Sequence, residues 1–223
     1  AKAGFDWLVV DLEHSVITIR EAEELIRVID FCNVVPLVRV SSNDPIQIKR
    51  VMDAGAHGVI VPMINSANEA ERVVSAIKYP PQGTRSVGLA RAQGYGNNFE
   101  EYLKWAKKDS IIIVQIEHID AVENLESILS VKEVDGFIVG PYDLSGSLGI
   151  PGQFDHPLMI DTMQRILSLG KKLNKAPGVH IIEPNIDELK QRKIEGYKFI
   201  AYSLDIRMLD QITRIGTMNF RNT

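Results

Sequence analysis

The chain has 223 residues and is 45% hydrophobic, and its 25 Lys and Arg residues against 29 Asp and Glu residues give a net charge of −4. This size and apolar content suit a single large folded domain. The weakly acidic balance, without a clustered basic tract, argues against a nucleic-acid or anionic-membrane partner, because such partners need concentrated positive charge. We therefore expect small-molecule partners.

Cys32 is the only cysteine, so the chain cannot form an intrachain disulfide, and we expect a reducing, cytoplasmic location. No apolar run approaches the roughly 20 residues that a membrane span requires. The first residues also lack the basic and then apolar pattern of a secretory signal. These patterns predict a soluble protein with no membrane partner.

Short runs rich in Val and Ile alternate with helical patterns along the whole chain, which is typical of βα units around a parallel sheet. The predicted strands lie near residues 6–12, 34–40, 57–62, 110–117, 134–139, 177–182 and 198–203. The predicted helices lie near residues 18–32, 66–77, 98–107, 120–130, 156–174, 185–194 and 205–214, with one more beginning at Asp44-Pro45.

Seven βα units predict an α/β fold, an eight-stranded (β/α)8 barrel whose first strand is absent from this sequence. A doubly wound sheet is the alternative. It normally has a Gly-rich turn after its first strand, and residues 11–15 read Asp-Leu-Glu-His-Ser. Since no linker of biased composition divides the chain, we expect one domain over residues 1–223.

Two carboxylates follow apolar strands, Glu117 after residues 110–116 and Asp143 after residues 134–142. A carboxylate at the end of a buried strand is costly unless a cation meets it, and two at matched depth favour a shared Mg²⁺, Mn²⁺ or Co²⁺. Glu117 has an alternative role as partner of an Arg or a helix N-terminus, and Asp143 as an N-cap after Gly140-Pro141.

The first strand ends in a second group of ionisable residues, Asp11, Glu13 and His14. Two acids within three residues of a histidine favour His14 as a catalytic base, with one acid holding its ring tautomer. Arg39 ends the next strand, where its planar guanidinium is placed to bind a substrate carboxylate. The alternative for Arg39 is that it neutralises Glu117 or Asp11.

The remaining candidates are polar or flexible positions at the same strand ends. Gln115 shares a strand face with Glu117, since residues two apart point the same way. The turn Gly140-Pro141-Tyr142 is predicted to leave backbone N–H groups free for an anionic oxygen. His180 has apolar neighbours in its strand, and we predict that it is a core histidine.

Four of these strings together resemble the HpcH/HpaI aldolase family of metal-dependent class II pyruvate aldolases. They are Asp11-Leu-Glu-His14, Val38-Arg39-Val40, Gln115-Ile-Glu117 and Gly140-Pro-Tyr-Asp-Leu-Ser145, and the segments at residues 54–62 and 79–85 are also similar to that family. The resemblance covers nearly the whole chain.

The resemblance implies a barrel of the phosphoenolpyruvate/pyruvate type that reversibly cleaves a 4-hydroxy-2-oxo acid into pyruvate and an aldehyde through a metal-stabilised enolate. It implies that Glu117 and Asp143 bind the divalent ion and that Arg39 contacts the pyruvyl group. It also implies that His14, oriented by Asp11, handles protons through water. Finally, it implies a hexamer, a trimer of dimers that exchange C-terminal helices.

Two alternatives remain open at this stage. One is an acyl-CoA lyase similar to the citrate lyase β-subunit, which would need a basic patch for nucleotide phosphates, and Arg85 and Arg91 are the main candidates for it. The other is a non-catalytic metal-binding barrel. That alternative predicts loss of the proton-handling group, whereas His14 and Asp11 are both present.

Overall fold

The fold was analysed in a computed structural model, which describes residues 1–221. Residues 222 and 223, the end of the predicted domain, lie outside the described residues. Seven parallel strands form one sheet in the order β1-β2-β3-β4-β5-β6-β7. The strands are β1 (Trp7–Asp11), β2 (Val35–Arg39), β3 (Gly58–Val61), β4 (Ile111–Ile116), β5 (Gly136–Val139), β6 (Ala176–Ile181) and β7 (Phe199–Tyr202). All seven predicted strands are confirmed.

Helices connect the strands and cover the outer face of the sheet. They are α1 (Ile19–Phe31), α2 (Pro45–Asp53), α3 (Ala67–Ile77), α4 (Phe99–Lys108), α5 (Ile119–Glu123), α6 (Leu125–Leu129), α7 (Pro141–Ser147), α8 (Pro157–Lys172), α9 (Ile186–Glu195) and α10 (Asp205–Arg221), with a short 3-10 segment at Arg91–Gly96. The single helix predicted at 120–130 is two short helices that meet at Asn124. No helix within residues 1–221 has the length and apolar character needed to cross a membrane.

Local sequence signals explain where the first helices begin. The Thr18 hydroxyl accepts the Glu21 N–H and the Glu21 carboxylate accepts the Thr18 N–H, which is the predicted capping box of α1. Asp44 caps α2 by accepting the Ile46 N–H at 3.0 Å, with Pro45 as the first helical residue. These caps fix the connections that leave the carboxyl ends of β1 and β2.

The sheet is curled, and this curl makes its inner face concave. The Trp7 ring of β1 stacks on the Phe199 ring of β7 with centroids 4.3 Å apart and planes 9° apart. Within residues 1–221, β1 and β7 are not paired with each other, so the sheet is an α/β half-barrel that is not closed. The strand order never reverses, which excludes the doubly wound alternative, since that fold has a switch point.

The two faces of the sheet carry separate apolar clusters. Inward residues of successive strands form a small cluster on the concave face, which consists of Leu37, Ile60, Ile113, Ile138 and Phe199 with Trp7 and Val9 against them. The alternate residues pack against the helices in a much larger cluster that includes Val38, Val59 and Val114. β3 and β5 are buried on both faces, as strands covered on each side require.

Candidate active site

Three of the predicted site residues, Asp11, Arg39 and Glu117, lie at the carboxyl edge of the sheet, on its concave side. Asp11 and Arg39 are the last residues of β1 and β2 and are paired in register. Alternation along the strand places Asp11 on the same side as Val9, and Arg39 on the same side as Leu37, and both apolar residues belong to the concave cluster. Enzymes built on parallel βα units keep their sites at this edge.

Asp11 and Arg39 form a two-pronged ion pair. Arg39 Nε donates to Asp11 Oδ1 at 2.8 Å and Arg39 Nη2 donates to Oδ2 at 2.7 Å. Burial alone would raise the pKa of Asp11, but the hydrogen bond and the positive charge of Arg39 lower it below its usual value. Arg39 therefore neutralises Asp11, one of the two roles that the sequence left open for it.

Glu13 is a second acid on the same arginine. Its Oε2 lies 3.2 Å from Arg39 Nη1, yet this buried oxygen has no hydrogen-bond partner within the described chain. Burial raises the pKa of Glu13, and the nearby negative charge of Glu117 raises it further, while Arg39 opposes both effects. Sequence reasoning gave Glu13 no role of its own, although its spacing of two from Asp11 predicts a shared direction.

His14 lies at the rim of the site, with its side chain 68% exposed. Its Nε2 is 3.8 Å from Glu13 Oε2. Both carboxylate oxygens of Asp11 accept hydrogen bonds from Arg39, and Oδ1 also accepts the Glu13 N–H at 3.0 Å. The carboxylate beside the His14 ring is thus Glu13, where the resemblance implied Asp11.

Glu117 is held rigidly at the end of β4, where it is 3% exposed. Its Oε1 accepts the Met63 N–H at 2.7 Å, and its Oε2 accepts from Gln115 Nε2 at 2.5 Å. Met63 has a φ of 54°, which is uncommon for a residue with a side chain. This left-handed turn after β3 aims the Met63 N–H at Glu117, a contact that nothing in the local sequence indicates.

Gly140 provides space beside this carboxylate. A Cβ built at Gly140 would lie 2.7 Å from Glu117 Oε2 and 3.6 Å from Gln115 Nε2. Contrary to the sequence prediction, the Gly140 N–H is not free, because it donates to the Ile116 carbonyl at 3.2 Å. The contribution of this glycine is instead its lack of a side chain, which leaves room for the Glu117 carboxylate.

Asp143 lies in the first turn of α7 and is exposed. Gly140, rather than Asp143, is the N-cap of this helix, so the capping alternative for Asp143 is wrong. Pro141 is the first residue of α7, and Tyr142 is 56% exposed with its ring against Phe154, centroids 4.8 Å apart. α7 therefore begins directly after Gly140, the glycine beside Glu117, and Asp143 is its third residue.

The acidic composition of this edge fits a divalent cation. Asp11, Glu13 and Glu117 share a single arginine, since all three act on the charge of Arg39. One buried oxygen, Glu13 Oε2, has no hydrogen-bond partner within residues 1–221. Oxygen donors suit Mg²⁺ and similar hard cations, which keep several water ligands. No group of three or more His, Cys, Asp or Glu side chains in the described part of the chain is arranged to hold a metal.

A separate cavity of about 370 Å³ lies away from these residues, and none of the predicted site residues lines it. Its arginine, Arg91, donates to Asp30 at 2.7 Å and to the Ala54 carbonyl at 3.1 Å. Arg85, the other basic residue considered for nucleotide phosphates, is 2% exposed and lies over the Tyr79 ring, 4.7 Å from its centroid. Arg85 and Arg91 thus both contact other groups of the protein itself.

A parallel-stranded α/β half-barrel with a carboxylate-rich site at the carboxyl ends of its strands defines the class of this protein. The model of the HpcH/HpaI aldolase/citrate lyase family matches residues 1–210. The chain belongs to this family, which is a family of enzymes.

Named relatives and solved structures agree with this assignment. The chain is 38% identical over 212 residues to a 4-hydroxy-2-oxo-heptane-1,7-dioate aldolase of Shigella sonnei strain Ss046, with 94% of this chain and 79% of that protein covered. It is similar to an HpcH/HpaI aldolase/citrate lyase family protein of Burkholderia cenocepacia J2315, with a TM-score of 0.92, 33% identity and coverage of 99% and 87%. It is also similar to an HpcH/HpaI aldolase of Desulfitobacterium hafniense DCB-2, with a TM-score of 0.91, 31% identity and coverage of 99% and 85%.

Proposed function

We propose that this protein is a divalent-metal-dependent aldolase that cleaves a 4-hydroxy-2-oxo acid into pyruvate and an aldehyde, and catalyses the reverse condensation. The observation that carries the proposal is the gathering of Asp11, Glu13 and Glu117 around Arg39 at the carboxyl edge of the sheet. These residues occur in a chain whose named relatives are aldolases at 38% identity.

In cleavage, the 4-hydroxyl loses a proton, the C3–C4 bond breaks, and its electron pair forms the pyruvate enolate. Glu117 and Asp143 would hold a divalent ion, which would supply positive charge to stabilise that enolate. Asp11 holds the Nε–Nη2 edge of Arg39 in place, and the Nη1 side of the guanidinium binds the oxo acid. His14 at the rim accepts the hydroxyl proton through water, and a proton returned to C3 completes pyruvate.

Gln115 and Gly140 prepare the position of Glu117. The Gln115 amide donates to the Glu117 carboxylate, and Gly140 leaves the concave side of that carboxylate open. Pro141 and Tyr142 follow Gly140 directly at the start of α7, and we propose that they contact the substrate. The catalytic group is therefore His14, Asp11 and Arg39, with Glu117 and Asp143 as metal ligands.

Exchange of the pyruvate methyl protons in D₂O tests this proposal without knowledge of the aldehyde. We expect exchange that stops with EDTA and returns with Mg²⁺, Mn²⁺ or Co²⁺. Glu117→Ala and Asp143→Ala should abolish exchange at unchanged melting temperature, whereas Glu24→Ala, a matched change of an acid on the outer helix α1, should leave it intact. Exchange that persists in EDTA would refute the metal-dependent mechanism.

Succinic semialdehyde is the first aldehyde to test. Removing pyruvate from a 4-hydroxy-2-oxo-heptane-1,7-dioate leaves this four-carbon aldehyde, and that dioate appears in the name of the 38% identical relative. An acyl-CoA lyase is the second candidate, and the burial of Arg85 and the pairing of Arg91 leave it without a free basic patch at these two positions.

We further propose that the seven strands belong to an eight-stranded (β/α)8 barrel of the phosphoenolpyruvate/pyruvate type that forms one domain. The Trp7–Phe199 stack brings the unpaired edges of β1 and β7 to the two sides of one gap, and exposed strand edges of this kind are normally covered. Slow amide exchange of residues 7–11 and 199–202 in the full gene product would support closure, and fast exchange at both edges would refute it.

We propose that the protein works in a reducing cytoplasm, where Cys32 stays unpaired. We also propose that it is a homo-oligomer, specifically a hexamer. The support is an exposed apolar stripe along α10, in which Ile206, Leu209 and Ile212 are 64–68% exposed. Such a stripe is typical of a helix that packs against another surface. Light scattering should give six times the monomer mass, and Leu209→Glu with Ile212→Glu should reduce it.

A further inference from the structure

The cavity of about 370 Å³ lies at the amino ends of the strands, at the opposite end of the sheet from the carboxylates. His57 lines it and directly precedes β3. The helices α1 and α4, which line it through Asp30 and Trp105, end just before β2 and β4. Its volume is within the roughly 300–1,000 Å³ that is usual for small-molecule sites. A molecule bound there would leave the carboxyl edge open to pyruvate.

Aromatic rings form one wall of this cavity. Trp105 stacks on Tyr102 with ring centroids 5.4 Å and planes 25° apart, and the His57 ring is tilted against Trp105 with centroids 5.2 Å apart. All three residues line the cavity. The faces of aromatic rings carry partial negative charge and attract cations, and tryptophan does so most strongly. This wall therefore favours a ligand that has both apolar area and positive charge.

The charged residues of the lining leave one negative charge unmatched. Arg91 donates to Asp30 at 2.7 Å and to the Ala54 carbonyl at 3.1 Å, so Asp30 matches its charge. Glu101, in the first turn of α4, is exposed and forms no ion pair within residues 1–221. One arginine against two carboxylates gives the lining a net charge of −1 when His57 is neutral.

The surroundings of His57 keep its imidazole neutral. Burial lowers the pKa of His57, and the positive charge of Arg91 lowers it further, while Asp30 opposes both effects. His57 Nε2 is 3.7 Å from Asp30 Oδ1, which is too far for a hydrogen bond. The ring therefore adds no positive charge to the cavity, and its two nitrogens offer a ligand one donor and one acceptor.

Two other classes of ligand do not fit this lining. No group of three or more His, Cys, Asp or Glu side chains within residues 1–221 is arranged to hold a metal ion. An anion would be repelled by Glu101, and the arginine of the lining is already paired with Asp30. An organic cation fits, because it can pair with a carboxylate and place its carbon atoms against the rings.

We propose that this cavity is a binding site for a small organic cation, a protonated primary amine attached to an aromatic body. The ammonium group pairs with Glu101, and the body of the ligand packs against the wall formed by Trp105 and His57. The site is separate from the carboxylate-rich site, and the inference does not depend on the proposed aldolase function.

Benzylamine, benzyl alcohol and benzoate test this inference, because they share one ring and differ in charge. Calorimetry at neutral pH should find saturable binding of one benzylamine per chain, about 10-fold or more tighter than that of benzyl alcohol, and no binding of benzoate. Trp7→Phe keeps an aromatic ring against Phe199 and leaves Trp105 as the only tryptophan. Benzylamine should therefore change the tryptophan fluorescence of this variant.

Glu101→Gln should weaken benzylamine binding about 10-fold and leave the binding of benzyl alcohol unchanged. Glu100→Gln is the matched control, because it removes the same charge from the same turn of α4 at an exposed residue that does not line the cavity. It should bind benzylamine as the unmodified protein does. Equal effects of the two substitutions would indicate general attraction to an acidic surface and would overturn the inference.

Competition distinguishes the cavity from the carboxylates at the other end of the sheet. We expect that saturating pyruvate with Mg²⁺ does not displace benzylamine, and displacement would contradict the assignment to the cavity. Equal affinity for benzylamine and benzyl alcohol, tighter binding of benzoate, or no binding of benzylamine would overturn the inference as well. Pyruvate exchange in the same protein reports separately on the proposed function, so the two can fail independently.

Discussion

A methyl group added at Gly140 should disable the site without unfolding the protein. The new Cβ would lie 2.7 Å from Glu117 Oε2, about 0.7 Å inside the 3.4 Å at which ordinary contact begins. The φ of −91° and ψ of 92° at Gly140 suit alanine, so the conflict is confined to the Glu117 side chain, whose Cβ would also lie 3.0 Å from the new Cβ. Because Glu117 is fixed by Met63 and Gln115, relief of the contact must move Oε2 or break one of these hydrogen bonds.

A displacement of this size is large for a metal ligand. Catalytic groups must be held within about 0.5 Å of their productive positions, and a misplacement of about 1 Å costs roughly 100-fold in rate. We expect Gly140→Ala to reduce metal-dependent pyruvate exchange about 10- to 100-fold and to weaken Mn²⁺ binding measured by calorimetry. Overpacking should lower the free energy of unfolding by about 1–3 kcal/mol, which is a fall of roughly 2–12 °C in Tm at this chain length.

Gly146→Ala is the matched control. It makes the same substitution inside α7, the helix that Gly140 caps, at a position where a new Cβ has no atom within 4 Å. Alanine is the better helix former by about 0.5–1 kcal/mol, so this variant should be slightly more stable and fully active. If Gly140→Ala matched Gly146→Ala in pyruvate exchange and in Mn²⁺ affinity, the proposal that Gly140 leaves necessary space beside Glu117 would be refuted.

Three further changes test the neighbouring residues. His14→Ala should slow aldol cleavage roughly 10²- to 10⁴-fold, the range of a lost general base, and a collapse of metal affinity instead would make His14 a ligand. Arg39→Lys should weaken inhibition by pyruvate, because an ammonium group cannot replace the two-pronged guanidinium, and unchanged inhibition would limit Arg39 to pairing with Asp11 and Glu13. Asp11→Asn should flatten the acid side of the stability profile. The pKa of Asp11 in the folded protein lies below its ordinary value of 3.8, so its stabilising effect is complete above about pH 4 and is lost as the pH falls through the lowered pKa. An acid side of the Tm profile identical to that of the unmodified protein would contradict this.

Local sequence patterns were enough to predict the strands and helices and the edge of the sheet at which the polar residues lie. Strand and helix periodicity, the capping box at Thr18 and the Asp44-Pro45 start depend on residues within a few positions of one another, so they can be identified without a fold. The parallel order of the strands then places the polar residues that follow them at one edge. Asp11, Arg39 and Glu117 were predicted in this way.

Which of these side chains contact one another depends on the folded structure. Arg39 and Asp11 are separated by 28 residues, and Met63 and Glu117 by 54. Their contacts depend on strand register, on a left-handed turn and on the curl of the sheet, none of which a local pattern encodes. His180, which the sequence predicts to be a core residue, is half-buried and pairs in register with Ala201 of β7. The chemical type of a side chain and its position along a strand are local properties of the sequence, whereas contacts between side chains of different strands are set by the geometry of the whole sheet.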